Sequence, residues 1–430
     1  MKPFGVGLDF GTTNSSIALA DASGVVQLAG FAAASGLTEA FRSLLYLERN
    51  RTAGRITIHS WTGPQAIEKY LEAEEKGRLI QSLKSFLASR SLKSTEVFGR
   101  QHTLESLIAV MLRAIRTAAE RQFQRPLTDV VVGRPVRFVG SESEADDDYA
   151  RSRLEAALRL AGFERVSFEF EPVGAAYHYE STLDRDELIL IGDFGGGTSD
   201  FSLLQVGPTI RQRGRKPQDL LANEGIGIAG DSFDAKIIRH LVSPALGDGT
   251  TLQSMDKVLP VPTWVFRKLE RWHHLSFLKA KETIDMLQSV QRSAFEPERI
   301  AALLHLIQND LGYHLHRSVQ HLKCALSESD HAIFQFEDAD VYIEAAVQRL
   351  EFESWIAEEL EAIERCVSLC VSKAGVAARD VDRVFLTGGS SFVPAVRRIF
   401  ETRFGAECIR SGNEFTSVAR GLALRAQAPL

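Results

Sequence analysis

Cysteine is scarce in this chain of 430 residues, which has four: Cys324, Cys366, Cys370 and Cys408. So few cysteines exclude a scaffold built on disulfides and indicate a reducing compartment. Long apolar runs are also missing, because none approaches the roughly 18 residues of a membrane-spanning helix. Asp9 interrupts the apolar N-terminal stretch, which argues against a signal peptide. We therefore expect a cytoplasmic protein with no membrane partner.

Positive charge is in short supply as well. The chain has 50 Lys and Arg against 56 Asp and Glu, a net charge of −6. A nucleic-acid-binding protein usually shows a basic footprint, so we expect no nucleic acid partner. Hydrophobic residues make up 44% and charged residues 25%, the balance of an ordinary folded protein. At roughly 100–200 residues per domain, the length allows two to four domains or one bilobed unit.

Strand-like and helix-like segments alternate along the chain. Short apolar runs predict two meanders of three strands each, at 4–9, 15–20 and 25–30 and then at 187–193, 199–206 and 209–213. Apolar residues at steps of three and four predict one long amphipathic helix over 296–328. This alternation indicates an α/β fold with mixed sheets.

Two pairs of segments repeat in the same order. GLDFGTTNSSIAL begins a strand pair around Asp9, and GDFGGGTSDFSLL begins another around Asp193, 184 residues later. VVVGRP at 130–135 and VFLTGGSSFVP at 384–394 are each a buried strand that leads into glycine and then proline. Two echoes in order indicate a duplicated fold with two lobes, and ligands bind at such lobe interfaces.

The turns of the two strand pairs predict phosphate binding. Gly11 lets the backbone approach an anion, and the amides of Thr12, Thr13 and Asn14 can donate to phosphate oxygens. Asp9 suits magnesium, directly or through bound water. The second turn repeats this chemistry with Asp193, Gly195, Gly196, Gly197, Thr198 and Asp200. Two ordinary glycine hairpins are the alternative, which the matched spacing disfavours, and no GxxxxGK[ST] motif indicates a P-loop.

These segments resemble a known family. GLDFGTTNSS and GDFGGGTSDFS are similar to the phosphate motifs of the actin-like ATPases, and in detail to those of the DnaK-like, seventy-kilodalton heat-shock chaperones. Four further segments resemble motifs of that family: EPVGAAYHY (171–179), GIAGDSFDAKIIRHL (227–241), LKCALSE (322–328) and FLTGGSSFVPAVR (385–397). The ordered set covers nearly the whole chain.

The resemblance implies a duplicated actin-like, ribonuclease-H-like ATPase fold with two lobes around a nucleotide cleft, and ATP or ADP with magnesium as cofactors. Lobe I would comprise residues 1–185 and lobe II residues 186–404, with a C-terminal helix at about 405–430 that packs back on lobe I. After SVARGLALRA (417–426) the family continues into a peptide-binding domain. We therefore expect no substrate-binding domain, as in short bacterial proteins of the YegD type, and no nucleotide-dependent capture of unfolded peptides.

The resemblance also implies residue roles. The residues expected to carry catalysis are Asp9, Thr12, Lys84, Glu171, Asp193 and Thr198. Asp9 and Asp193 would hold magnesium, through water. Lys84, in LIQSLKSFL, is the looser match, and an exposed helix lysine is its alternative. The adenosine side would comprise Gly230, Asp231, Lys323, Ser327, Gly388, Gly389, Ser390 and Phe392.

The adenine side departs from the family pattern. Phe392 stands where the family has the arginine that covers the adenine ring, Cys324 replaces a second arginine, and Gln320 replaces a glutamate. The phosphate side matches the family, whereas the base side is remodelled. Hydrolysis of ATP is therefore better supported than unchanged nucleotide affinity or base preference.

The sequence predicts a magnesium-dependent ATPase, similar to heat-shock chaperones, whose lobes open and close with nucleotide state. A nucleotide-gated binding scaffold with negligible turnover is the alternative. A small-molecule kinase of the same superfold is a distant third, because no sugar-binding insertion is evident. We expect a separate protein partner on a lobe surface, within the helix-rich segment 262–328.

Overall fold

A computed structural model describes residues 4–33, 36–52, 55–73, 77–180, 182–271, 278–339, 341–410 and 417–427. The strands are β1 (Phe4–Phe10), β2 (Asn14–Asp21), β3 (Val26–Leu28), β4 (Phe31–Ala33), β5 (Gly36–Thr38), β6 (Phe41–Arg42), β7 (Leu44–Thr52), β8 (Arg55–Thr62), β9 (Arg78–Gln81), β10 (Ser94–Val97), β11 (Arg100–Thr103), β12 (Asp129–Arg134), β13 (Arg165–Phe170), β14 (Glu187–Phe194), β15 (Ser199–Val206), β16 (Leu220–Ile226), β17 (Thr251–Ser254), β18 (Lys257–Pro260), β19 (His331–Asp338), β20 (Val341–Gln348), β21 (Arg383–Thr387) and β22 (Ile409–Arg410).

The helices are α1 (Pro64–Glu72), α2 (Leu104–Phe123), α3 (Glu144–Leu160), α4 (Glu171–Glu180), α5 (Pro208–Arg213), α6 (Gly230–Ile237), α7 (Ser243–Ala245), α8 (Trp264–Leu269), α9 (Lys281–Ser293), α10 (Pro297–Gln308), α11 (Gly312–Glu328), α12 (Arg349–Trp355), α13 (Ala357–Ala374), α14 (Pro394–Phe404) and α15 (Ser417–Gln427). Within the described part of the chain, no helix is long and apolar enough to cross a bilayer.

The chain divides into two compact units. Unit 1 comprises Met1–Gly227, Glu364–Ser391 and Phe400–Leu430, and unit 2 comprises Ile228–Ile363 and Phe392–Ile399. Both glycine-rich turns belong to unit 1. The predicted lobe boundary near residue 185 stays a prediction.

Unit 1 contains two sheets of the same design. In the first, the strand order is β13-β12-β1-β2-β3, with β6 paired to the start of β2. In the second, the order is β16-β15-β14-β21-β22. Each sheet has a central strand, β1 or β14, that pairs antiparallel with the next strand and parallel with a distant one. This repeated topology confirms the predicted duplicated α/β fold.

The first sheet and two helices form the largest described core. On β1, Val6, Leu8 and Phe10 are buried, as pleat alternation places them on one face. They pack with α2, which buries Leu107 and Ile115 among other residues at helical spacing. Burial of each such side chain contributes about 1.5–3 kcal/mol to folding.

Helix α15 packs against the other face of the first sheet. Ala419 and Ala423 form a small core with Ala18 and Ala20 of β2. A Cβ added to Gly7 would lie 2.3 Å from the Ala423 nitrogen, so glycine is required for this close approach. The C-terminal helix thereby covers the strand that leads to Asp9.

Unit 2 consists mainly of helices α6 to α12 with two hairpins, β17–β18 and β19–β20. The prediction of one helix over 296–328 was wrong, because α10 ends at Gln308 and α11 begins at Gly312. Asp310, between them, has a φ of 58°, a left-handed conformation that ends a helix. Apolar residues recur at helical spacing on both sides of this break, so the sequence pattern did not indicate it.

The prediction of a strand at 209–213 was also wrong. This segment lies in helix α5, which has a proline at its first turn after Gly207. The third strand of the second meander is β16, which pairs antiparallel with β15. The meander itself therefore exists, with its last strand later in the chain than predicted.

Candidate functional site

The two glycine-rich turns have equivalent backbone registers. Asp9 pairs with Ser16 across the β1–β2 hairpin, and Asp193 pairs with Asp200 across β14–β15. Each aspartate therefore lies one residue before the end of its strand, where the turn begins.

The turns leave backbone donors available. In the first, the Gly11 amide donates to Ser15 Oγ at 3.2 Å. In the second, the Gly195 amide donates to the Thr198 carbonyl at 2.8 Å. Among the described residues, the amides of Thr12, Thr13, Gly196 and Gly197 have no hydrogen-bond partner. Such turns with unused amides are the local structure that binds anions.

A buried ion pair lies beside these turns. Lys84 is in a short 3₁₀ helix, Leu83–Phe86, and its Nζ donates to Glu171 Oε1 at 2.7 Å. The two side chains are only 9% and 10% exposed. Glu171 is the first residue of α4, directly after β13. The alternative that Lys84 is an exposed helix lysine is therefore wrong.

The carboxyl groups of this region influence one another. Desolvation, and then repulsion from Glu171, raises the pKa of Asp9 to about 8. The same causes raise the pKa of Asp193 to about 6, although Thr387 Oγ1 opposes them by donating to Asp193 Oδ1 at 2.7 Å. Desolvation, together with the charge of Asp193, raises the pKa of Asp200 well above its usual value. Among the described residues that influence one another here, the carboxyl groups of Asp9, Glu171, Asp193 and Asp200 outnumber the ammonium group of Lys84.

This surplus of carboxylates suits a divalent cation. Asp200 Oδ1 is buried and has no hydrogen-bond partner among the described residues. No group of three or more His, Cys, Asp or Glu side chains in the described part of the chain is arranged to hold a metal directly. Magnesium commonly keeps several waters and uses one or two carboxylates. Asp9 and Asp193 therefore fit a magnesium ion bound through its hydration shell.

The sequence patterns did not indicate two residues that bond to the turns from other segments. Thr387 ends β21 and stands opposite Asp193 in the parallel pair. Its position directly before Gly388 and Gly389 was a usable signal, because a threonine hydroxyl can donate a hydrogen bond. Ser43 donates from Oγ to the Gly11 carbonyl at 2.7 Å and bonds Ser15 Oγ at 2.9 Å. Nothing in the local pattern marked Ser43.

The predicted adenosine-side residues in unit 1 form a tight turn. Gly388 has a φ of +86°, and a Cβ there would lie 1.9 Å from the Phe194 carbonyl oxygen. Only glycine fits this position, which follows β21 directly. Gly389 begins a 3₁₀ turn that ends at Phe392, and Ser390 is buried within it.

The remaining adenosine-side residues belong to unit 2. Gly230 begins α6, followed by Asp231. Lys323 Nζ lies 2.6 Å from Asp234 Oδ1 and donates to the Gly230 carbonyl at 3.3 Å. Ser327 lies one turn further along the same helix as Lys323. Asp234, a buried residue that the sequence analysis missed, therefore holds Lys323 against the start of α6.

Comparison with known proteins identifies the class. A family model described as "Hsp70 protein" matches residues 74–255 and 307–428, more than half of the chain. The chain belongs to the Hsp70 family and has its duplicated actin-like ATPase fold. This result confirms the resemblance drawn from the motifs.

The chain is similar to particular chaperones throughout its length. It is 24% identical to the chaperone protein DnaK of Thermotoga petrophila over 427 residues, which cover 99% of the chain and 59% of the relative. It is likewise 24% identical to DnaK of Thermosipho africanus over 433 residues, with the same coverage. The chain thus spans about 59% of the length of these relatives.

Proposed function

We propose that the chain binds ATP and ADP with magnesium and hydrolyses ATP, and that its lobes open and close with nucleotide state. The observation that carries this proposal is the buried Lys84–Glu171 pair beside Asp9 and Asp193, at the ends of two equivalent strands. Positioning and electrostatic stabilisation account for most of the catalysis of phosphoryl transfer. A fixed ammonium surrounded by carboxylates serves both purposes.

The phosphate and magnesium roles are assigned to groups of the two turns. The free amides of Thr12, Thr13, Gly196 and Gly197 would donate to phosphate oxygens. Magnesium, when bound, would neutralise charge on the phosphates, and Asp9 and Asp193 would hold its waters. These two carboxylates must be ionised for that purpose.

The second turn and the ion pair complete the arrangement. Thr198 Oγ1 donates to Asp200 Oδ2 at 3.1 Å, which orients that carboxylate. Glu171 holds the Lys84 ammonium in place. By resemblance to the family, Lys84 Nζ would orient the attacking water. Gly11 and Gly195 let the chain pass close to the phosphates.

The test is single-turnover hydrolysis of ATP by Lys84→Met. We expect the rate to fall at least about a hundredfold, as when a preorganised electrostatic group is removed from an active site. ADP binding, measured by calorimetry, reports whether the variant is folded. Lys69→Met is the matched control, because Lys69 is an exposed partner of Glu72 on α1. An unchanged rate in Lys84→Met would exclude the assigned role.

The remodelled base side favours a second candidate, a nucleotide-gated scaffold with negligible turnover. Phe392 is 54% exposed, and Cys324 is exposed on α11. Neither side chain carries the positive charge of the family's arginines. Aromatic stacking would supply about 0.5–1.5 kcal/mol of binding free energy. Steady-state phosphate release separates the candidates, since a scaffold would bind nucleotide and release almost no phosphate.

The base pocket has its own test. If Phe392 stacks on the adenine ring, Phe392→Ala should weaken ADP binding about two- to tenfold in calorimetry, by loss of that stacking. Ile333→Ala, at another exposed apolar residue of unit 2, is the control. Equal affinity in Phe392→Ala and the unmodified chain would show that Phe392 does not cover the base.

We also propose that a separate protein partner binds the helix-rich segment 262–328. The family model leaves residues 256–306 unmatched, so this part of the chain is free to differ from the family. Within it, Trp264 is 44% exposed and Phe295 is 59% exposed. Pull-downs with ATP and with ADP should recover a partner in one state, and Trp264→Ala should reduce the recovery. Unchanged recovery would place the partner elsewhere.

A further inference from the structure

A buried arginine holds the segment that follows Lys84. Arg153 lies in α3 and is 5% exposed. Its guanidinium donates to four backbone carbonyls, those of Phe86 (3.4 Å), Leu87 (3.3 Å), Ser89 (3.0 Å) and Leu92 (2.9 Å). Its Nε donates to Glu105 at the start of α2. One side chain thus joins α2, α3 and the segment 86–92.

The bonded segment is continuous with the helix of Lys84. The Leu87 amide donates to the Lys84 carbonyl at 3.2 Å, so Leu87 is bonded both to Lys84 and to Arg153. On the other side of Lys84, β9 ends at Gln81, and Ser82 follows in a left-handed conformation with a φ of 55°. Lys84 is therefore held between a paired strand and the contacts of Arg153.

The chemistry of this contact requires arginine. A guanidinium presents five donors in a planar fork, whereas a lysine ammonium presents three donors at one point. Without the guanidinium, the buried Leu87 carbonyl and the part-buried carbonyls of Ser89 and Leu92 would lose this donor, which costs most at the buried one. The segment 86–92 has little regular secondary structure of its own, so these bonds and the core packing of Leu87 and Ala88 hold it in place.

We propose that Arg153 is a positioning residue, which holds segment 86–92 on α3 and thereby places Lys84 Nζ against Glu171. The effect of this placement on hydrolysis rests on the proposed function, but the placement itself does not. The exposed Arg90 adds a weaker contact between the segment and α3, an ion pair with Asp146 at 3.1 Å. No local sequence pattern indicates this role for Arg153.

The test compares the whole chain with its Arg153→Lys variant. Both are treated with an amine-acylating reagent without nucleotide, and modification of Lys84 is measured by mass spectrometry. Lys84 is 8% exposed, so it should react slowly in the unmodified chain. We expect Arg153→Lys to raise its modification rate about tenfold, through local opening of segment 83–92. The exposed Lys69 is the internal reference and should not change.

Arg116→Lys is the matched control. Arg116 also bonds backbone carbonyls, those of Leu127 at 3.1 Å and Ala161 at 3.0 Å, and pairs with Glu120. A general loss of stability would expose Lys84 equally in both variants. The proposal is overturned if Lys84 reacts no faster in Arg153→Lys, or if Arg116→Lys raises its reactivity by the same factor.

Single-turnover hydrolysis adds the functional readout. In Arg153→Lys we expect the hydrolysis rate to fall about tenfold, while ADP affinity stays within about twofold, since Lys84 acts in the chemical step. Arg116→Lys should leave both quantities within about twofold. A faster modification of Lys84 with an unchanged hydrolysis rate would overturn the link to catalysis. If the unmodified chain hydrolyses no ATP, the proposed function fails, and the modification of Lys84 still decides the placement.

Discussion

The β1–β2 and β14–β15 hairpins have the same backbone register but differ in the side chains around their turns. Asp9 and Asp193 occupy the same register position, but the residue opposite is Ser16 in the first hairpin and Asp200 in the second. The first turn is tied to its neighbour by Ser43, through the Gly11 carbonyl. The second hairpin therefore carries an additional carboxylate, and the first is held by hydroxyls.

The difference extends to the protonation of the two aspartates. The pKa of Asp9 is raised to about 8, whereas that of Asp193 is raised to about 6, with Thr387 donating a hydrogen bond to it. A duplicated backbone has thus kept its geometry while the charges around each turn have diverged. We infer that both turns bind phosphate. We also infer that the second turn contributes more of the negative charge, through its additional carboxyl group.

Between the two turns, the largest expected effect comes from removing one side chain from each. Asp193→Asn and Thr12→Val should each lower single-turnover ATP hydrolysis at least about tenfold, which corresponds to roughly 1.4 kcal/mol of transition-state stabilisation. Asp193→Asn should give the larger loss if the second turn contributes more charge. Unchanged rates at saturating magnesium would remove both residues from the site.

A second comparison concerns the hydroxyls that support the turns. Thr387→Val removes the donor to Asp193 Oδ1, a hydrogen bond worth about 1 kcal/mol. The Asp193 proton should then persist to higher pH, so hydrolysis should fall about twofold near pH 6.5 and hardly at all near pH 8.5. Ser43→Ala, in the first turn, should leave the shape of the pH profile unchanged. A parallel loss at both pH values in Thr387→Val would contradict this account.

Sequence patterns predicted the parts of the site that are local in the chain. The turns at 9–14 and 193–200 each carry their glycines and aspartate within a few residues. The repeat of this short motif 184 residues later therefore indicated both turns. Ser43 and Arg153 act through contacts with distant segments, which no local spacing records. The break at Asp310 was missed because apolar residues continued on both sides of it. Burial of Lys84 likewise depended on tertiary packing.

The two aspartates should also affect stability over different pH ranges. The folded chain retains the Asp9 proton to about pH 8, whereas the unfolded chain releases it near the ordinary aspartate pKa of 3.8. Unfolding between these values releases a proton, so the free energy of unfolding should fall as pH rises, by at most about 1.4 kcal/mol per pH unit. Asp9→Asn should abolish this fall up to about pH 8.

For Asp193 the corresponding fall ends near pH 6. Asp193→Asn should therefore change the pH dependence only below that value. Urea denaturation from pH 4.5 to 8.5, without nucleotide or magnesium, measures both. Equal pH dependence in the two variants would contradict the difference between the turns.

The smallest effect is expected at the residues opposite the aspartates. Ser16 Oγ is buried with no partner among the described residues, so Ser16→Ala should leave stability and hydrolysis nearly unchanged. Asp200→Asn, at the equivalent position, should lower hydrolysis several-fold. Similar effects of the two substitutions in the same assay would show that the hairpins have not diverged at this position.

The most direct test of the central claim is single-turnover hydrolysis by the unmodified chain, with magnesium and with a chelator. If the two turns together hold a magnesium–triphosphate complex, phosphate release should proceed with magnesium and fall by at least about a hundredfold without it. Nucleotide binding with no phosphate release under either condition would contradict the account and leave the scaffold as the function.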